Sequence, residues 1–324
     1  MKIVMIGEAA THQQEVADAL PFEAEFVALP REAHESDQWD DQIEGADVLV
    51  AMRYQRAGKA PSFRLLQVPG AGLDGINFDK VPAGSTVCNV FEHEIPMGEY
   101  ALSAMLQHEV RLSTLRSSFD SNNWSESYLG REPRGELYGK TLLVVGFGRI
   151  GHAVAQRAKA FGMKIIGINQ VVYDDPLADE IHTTDQLLNQ LPRAHYVVLS
   201  CPMNEETRDS FGAAQLAAMN PDAVLINIAR GPIINQQALW DALKGNKIAR
   251  AYIDVWYRYP AGKGDKVTPA DFPFDTLPNA VCTPHVSGWT HGLFARRYRF
   301  IAKNIARLQN NEPLQNVVFG ESQK

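Results

Sequence analysis

Apolar residues along this chain fall into two series of short runs, separated by longer stretches with helical spacing. The first series is "KIVMIG", "EFVAL", "DVLVAM", "RLLQVPG" and "TVCNV", all ahead of Phe91. The second is "TLLVVGFG", "KIIGIN", "YVVLSCP", "AVLINIARG", "ARAYIDVW" and "AVCTPH", between Thr141 and His285. Runs of this length, bounded by glycine, proline and polar clusters, predict strands, and their alternation with helical segments predicts an α/β protein. The six strand candidates of the second series are the content of a complete doubly wound sheet.

Between the series, "IPMGEYALSAMLQHEVRL" (95–112) repeats apolar residues at helical spacing, with Pro96 in the favoured first turn, so a long helix is predicted. The polar segment that follows, "SFDSNNWSESYLGREPRGELYGK", reads as an irregular connector ending in a sharp turn. After residue 290, "LFARRYRFIAKNIARLQNN" is an amphipathic basic helix. In a chain that is acidic overall, it reads as a docking helix with a solvated cationic face rather than a membrane-surface element.

A length of 324 residues fits two domains, and 45% hydrophobic with 21% charged residues is an ordinary globular composition. The formal net charge of −7 and the lack of a strongly basic run argue against a nucleic-acid partner. The start, "MKIVMIGEAA", reads as a first strand rather than a secretory signal. No stretch approaches the roughly 18 apolar residues of a spanning helix, so no membrane partner is expected. Cys88, Cys201 and Cys282 are widely spaced and odd in number, which is neither a disulfide framework nor a zinc site. No metal is expected, and the reducing cytoplasm is the natural compartment.

Gly146, Gly148 and Gly151 form G-x-G-x-x-G directly after an apolar run and before an alanine-rich helix. In that context each glycine has a role: a tight turn, close approach of a pyrophosphate, and helix-on-strand packing. The helix N-terminus then presents free N–H groups to the phosphates. The position that would hold the ribose 2′-hydroxyl with an acid is Asn169, whose amide still hydrogen-bonds but carries no charge. "NQVVYDDP" has no cation, and Asp174 and Asp175 would oppose an added phosphate, which favours NAD over NADP while leaving NADP open.

Downstream, Arg230 in "INIARG" and His285 in "CTPHVSG" follow strand candidates of the same series. Reduction of a 2-keto acid needs a cation to hold the carboxylate and polarise the carbonyl, and an acid to protonate its oxygen. Taken singly, each has a plainer reading, a solvated arginine and a hydrogen-bonded structural histidine.

The features "VPGAGLDGIN", "GEYALSAML", "LLVVGFGRIG", "CPMNEET", "INIARG", "DVW" and "TPHVSG" occur in this order, and with them the chain resembles the D-isomer-specific 2-hydroxyacid dehydrogenases over nearly its whole length. The resemblance implies two doubly wound domains, with a Rossmann cofactor domain (97–288) inserted into a flavodoxin-like substrate domain (1–96 plus 289–324). It implies an NAD-dependent oxidoreductase, usually a homodimer, with its active site in the cleft between domains. Arg230 then binds substrate and His285 is the acid/base. Arg149 and Ile150 match positions beside the pyrophosphate, Pro202 and Thr207 positions along the cofactor, and Asp254 a position near the carboxamide; Ala229 and Gly288 complete the cofactor set. Ala71 and Gly72 resemble the loop receiving the substrate carboxylate, and Arg53, Tyr54 and His93 fall in substrate-side loops.

One family feature is missing. The glutamate that usually follows the D-V-F/W aspartate by five positions, and bonds the histidine, is Tyr259 here, within "DVWYRYP". The expected triad is therefore Arg230, Tyr259 and His285, and without the carboxylate His285 is expected to have a lower pKa unless Asp271 or Asp275 reaches it. Formate dehydrogenases of the same superfamily also lack this glutamate, which makes formate-like hydride abstraction the runner-up. A third reading is an NAD-sensing, corepressor-like binding protein; the absence of disordered tails and basic interaction segments weighs against it. Trp256, Tyr257, Tyr259 and Trp289 are candidates for an aromatic pocket rim.

Overall fold

A computed structural model describes residues 1–260 and 262–320. Two compact units emerge, one from residues 1–93 with 290–320 and one from Glu94–Trp289.

In the first unit, β1 (Lys2–Ile6), β2 (Glu25–Leu29), β3 (Ala46–Val50), β4 (Phe63–Gln67) and β5 (Thr86–Cys88) form a parallel sheet in the order β2-β1-β3-β4-β5. All five strand candidates of the first series are present. A sixth strand, β13 (Val317–Phe319), pairs antiparallel with β5. Ile3, Met5, Val48, Val50 and Leu65 pack beneath Tyr298, Ile301, Ile305 and Leu308 of the His291–Gln309 helix. Val4, Ile6, Leu49 and Leu66 face the opposite layer. Covering on both faces is why these strands read as continuous apolar runs. The terminal helix docks as its amphipathicity predicts, but Arg297, counted with its cationic face, is buried.

In the second unit, seven parallel strands run β8-β7-β6-β9-β10-β11-β12. They are β6 (Thr141–Val145), β7 (Lys164–Asn169), β8 (Glu180–Thr183), β9 (Tyr196–Leu199), β10 (Val224–Asn227), β11 (Arg250–Ile253) and β12 (Ala280–Cys282). The six predicted strands all form. β8, "EIHT", escaped the apolar pattern because every residue of this edge strand is only half-buried. Strand order reverses between β6 and β9, and the carboxyl ends at such a switch point are where doubly wound sheets bind ligands.

The predicted long helix spans Glu94–Val110, and a Cβ on Gly98 would lie 3.1 Å from Ala153 O of the Arg149–Ala160 helix, so glycine permits this close pairing. The connector after it is more ordered than its composition suggests, with helices Leu112–Ser118 and Trp124–Leu129. Trp124 and Tyr128, one turn apart, pack with ring centroids 5.4 Å apart, a local pair that the surrounding serines and asparagines mask in the sequence. Among the described residues, no helix is long and apolar enough to cross a membrane.

Candidate active site

The glycine loop leaves β6 at Gly146, whose φ of +92° suits glycine and whose absent Cβ would sit 2.4 Å from Cys201 N at the exit of β9. Gly151 is excluded from having a side chain by Gly146 O at 2.6 Å and Val144 at 3.0 Å, which is the helix-on-strand contact. Gly148 differs: nothing lies within 4 Å of the Cβ it lacks. It caps the Arg149–Ala160 helix, so exposed Arg149 and half-buried Ile150 begin a first turn whose N–H groups have no partner within the helix. Open space in front of this helix N-terminus fits a dinucleotide pyrophosphate. Asn169 ends the neighbouring β7. After β9, Thr207 donates to Pro202 O (2.8 Å) and accepts from Asn204 N (2.8 Å), closing a compact turn at the same edge of the sheet.

The exits of β10, β11 and β12 form a second cluster. Arg230 lies three residues beyond β10 in extended backbone (φ −146°, ψ 147°), its Nη1 donating to Ala229 O at 2.8 Å. Asn227, 2% exposed, fixes this turn by accepting from Ala229 N (3.1 Å) and donating to Arg230 O (3.0 Å). The next residue, Gly231, lies against the β11 exit, where a Cβ would be 2.4 Å from the carbonyl carbon of Trp256.

Asp254 is the centre of this cluster. It is fully buried and accepts from Thr283 Oγ1 (2.6 Å), Val286 N (2.8 Å) and Ser287 N (2.8 Å). Those bonds grip the loop on both sides of His285, which adopts φ +58°. A left-handed histidine costs about 1–3 kcal/mol and persists only where its surroundings over-determine it. Thr283 gives its proton to Asp254, so Tyr100, with Oη 2.7 Å from Thr283 Oγ1, is the donor in that pair. Burial pushes the Tyr100 phenol up to about 12, keeping it a donor. Trp256 Nε1 adds a bond to Thr283 O at 2.9 Å.

His285 keeps an exposed surface, but the protein packed around its ring pushes its pKa below the usual histidine value. Burial is the largest cause; Asp254 opposes it by its charge, and Arg230 adds to it. The carboxylate that reaches His285 electrostatically is thus Asp254, not Asp271 or Asp275. Asp271 is engaged by Arg258 and Gln236. At the position of the family glutamate, Tyr259 accepts Trp256 N at its hydroxyl (3.0 Å), and its ring lies 5.4 Å from the His285 ring, tilted by 48°. Of the aromatic candidates, Tyr259 and Trp289 are exposed, whereas Trp256 and Tyr257 pack against the core, with Tyr257 Oη bonded to Ile234 O.

The structure therefore gathers Arg230, Tyr259, His285, Ala229, Asp254 and Gly288 around the exits of β10–β12, and the glycines, Asn169, Pro202 and Thr207 around those of β6, β7 and β9. Sequence reasoning missed Asn227, Thr283, Ser287 and Tyr100, which position the loops without carrying the chemistry. The only sequence signal for Asn227 is a polar residue closing an apolar strand.

In the first unit, Ala71 and Gly72 lie in the loop after β4, where Ala71 O accepts from Asn89 Nδ2 (3.1 Å) and Gly70 O from Val90 N (3.1 Å). Arg53 follows β3, exposed, with its stem against Gly75 of the same loop. His93 is half-buried and ends the segment after β5. Tyr54, a substrate-side candidate, is fully buried and serves the core.

Comparison with known proteins agrees with this architecture. A D-3-phosphoglycerate dehydrogenase of Methanocaldococcus jannaschii is 32% identical over 291 residues, covering 86% of this chain and 52% of the relative, so the chain spans about half the length of that protein. A glyoxylate reductase of Thermococcus gammatolerans is 28% identical over 290 residues, covering 84% of this chain and 82% of the relative. Among solved structures, a D-isomer specific 2-hydroxyacid dehydrogenase family protein from Aeromonas salmonicida superposes with a TM-score of 0.76 at 24% identity, covering 98% of each chain. The family model for the D-isomer specific 2-hydroxyacid dehydrogenase, NAD binding domain, matches residues 102–287. The chain belongs to the D-isomer specific 2-hydroxyacid dehydrogenase family.

Proposed function

We propose that this protein is an NAD-dependent oxidoreductase that interconverts a 2-keto acid and a D-2-hydroxy acid. The observation that carries this reading is the loop held by Asp254, which presents His285 within electrostatic reach of Arg230. The arginine holds the substrate carboxylate and polarises the carbonyl. NADH supplies the hydride to the carbonyl carbon. His285, in its imidazolium form, gives a proton to the oxygen; in the reverse direction, neutral His285 removes the hydroxyl proton. Asp254 fixes the loop and opposes the loss of that proton, while Tyr259 packs beside the ring.

Gly146, Gly148, Arg149, Ile150, Gly151, Asn169, Pro202, Thr207, Ala229 and Gly288 are the proposed cofactor contacts. Asp254 keeps spare acceptor capacity for the same purpose, since a carboxylate offers about four lone-pair sites. Ala71, Gly72, Arg53 and His93 are the proposed substrate-side contacts. A cytoplasmic setting is supported by three free cysteines whose thiols burial pushes up to about 12 (Cys88), about 11 (Cys201) and about 11 (Cys282), leaving them protonated. A homodimer through the cofactor unit is supported by the apolar groups exposed along 112–138: Leu112, Phe119, Trp124, Leu129 and Tyr138. Light scattering at twice the chain mass would bear this out; a monomer would refute it.

The test of the catalytic reading is NADH oxidation against glyoxylate, pyruvate, hydroxypyruvate and longer or aromatic 2-keto acids, with NAD⁺ plus formate run in parallel. Keto-acid turnover that Arg230→Ala removes supports the proposal. Activity with formate alone overturns it in favour of hydride abstraction without a proton, the reading that Tyr259 in place of a glutamate favours. No turnover with any substrate, by a protein that still binds NADH, overturns it in favour of a sensor.

A further inference from the structure

The segment after β7 is bound to the glycine loop and its helix by side chains, of which only Asp175 has a role above, through its charge alone. Tyr173 donates to Phe147 O at 2.8 Å, and Phe147 is the middle residue of Gly146-Phe147-Gly148. Tyr173 thereby ties the segment that follows Asn169 directly to the phosphate loop.

A second tie lies beside it. His152, in the first turns of the Arg149–Ala160 helix, bonds Asp175 between Nε2 and Oδ2 at 2.8 Å, while Asp175 Oδ1 accepts from Leu177 N at 2.9 Å. With both oxygens held, the Asp175 carboxylate cannot swing away. The two ties share a base: the buried Phe147 ring packs over Gly167 of β7 and meets the His152 ring edge-on, centroids 4.8 Å apart.

We propose that Tyr173 and Asp175 form a strap framing the adenosine end of the dinucleotide, in which Tyr173 sets affinity for both cofactors and the pinned Asp175 carboxylate selects the 2′-hydroxyl of NAD against the 2′-phosphate of NADP. This rests on the reading that the dinucleotide lies along Gly146–Gly151. The selection is electrostatic. Asn169–Pro176 contains Asp174 and Asp175 and no cation, and a phosphate brought beside a carboxylate that cannot retreat is repelled.

The test is calorimetric titration of the full chain with NADH and with NADPH, for wild type, Tyr173→Phe, Asp175→Asn and His152→Leu, with KM and kcat alongside. Tyr173→Phe is expected to raise both dissociation constants and the KM for NADH by about three- to tenfold, with kcat at saturating NADH retained. Asp175→Asn preserves shape and the acceptor for Leu177, and is expected to lower the NADPH-to-NADH ratio of dissociation constants about fivefold or more. His152→Leu, which frees Asp175 without neutralising it, is expected to lower that ratio less. A ratio within twofold of wild type in Asp175→Asn overturns the selectivity role, and an unmoved KM in Tyr173→Phe overturns the strap. A wild-type protein that binds neither cofactor refutes the underlying reading instead.

Discussion

The two ends of the seven-stranded sheet's carboxyl edge are built by opposite means. At β6 the loop is shaped by missing atoms: Gly146 and Gly151 leave room for backbone, and Gly148 leaves room for a ligand. At β10–β12 the loops are shaped by buried polar groups, with Asn227 fixing the Arg230 turn and Asp254 holding the strained His285 loop by three hydrogen bonds. A phosphate cradle needs only exposed N–H groups and space, which glycine provides. An acid/base needs a fixed ring in a tuned field, which requires neighbours with charge and hydrogen-bonding capacity.

This contrast is open to attack by substitution. The largest effect is expected from Arg230→Ala, which removes the cation proposed to act at the carbonyl: kcat/KM for keto-acid reduction should fall by about 10²-fold or more while the NADH dissociation constant stays within about twofold. Equal losses in both would show that Arg230 serves the fold or the cofactor instead. Gly146→Ala places a methyl against Cys201 at positive φ and is expected to cost about 1–3 kcal/mol of stability and to abolish NADH binding, read by thermal unfolding and titration. Asp254→Asn retains the shape but replaces one of the two acceptor oxygens with an NH2, leaving either Val286 N or Ser287 N facing a donor, with an expected stability loss of about 1–3 kcal/mol. Because Asp254 raises the His285 pKa, its loss should also move the alkaline limb of the pH profile for reduction further down. The smallest effect is expected from Tyr259→Glu, which adds a carboxylate beside the ring and should move that limb up.

Legibility in the sequence followed the same division. G-x-G-x-x-G could be read from spacing because each position depends on local backbone geometry. Strands buried on both faces, such as β6 and β10, could be read from their apolar runs, whereas half-buried β8 and the antiparallel edge strand β13 left no such trace. Arg230 and His285 could be ranked as a pair only through resemblance, since each alone has an ordinary explanation. What remained hidden was whatever arises across distant positions: Tyr100 reaching Thr283, and Asp254 reaching the backbone beyond His285. In "DVWYRYP" the missing glutamate was visible, but not that Asp254 itself supplies the nearby charge. The lowered pKa of His285 agrees with expectation in direction, although burial rather than the missing carboxylate is its main cause.

The measurement that bears most directly on this account is the pH dependence of kcat/KM for keto-acid reduction, in wild type and Tyr259→Glu. On the proposed mechanism reduction needs protonated His285, so a pKa lowered by burial predicts that the rate falls as pH rises through a value below the ordinary histidine pKa of about 6.5. The account predicts that low wild-type inflection and its upward displacement in Tyr259→Glu. A wild-type inflection above 7, or a profile that the substitution leaves in place, would contradict it.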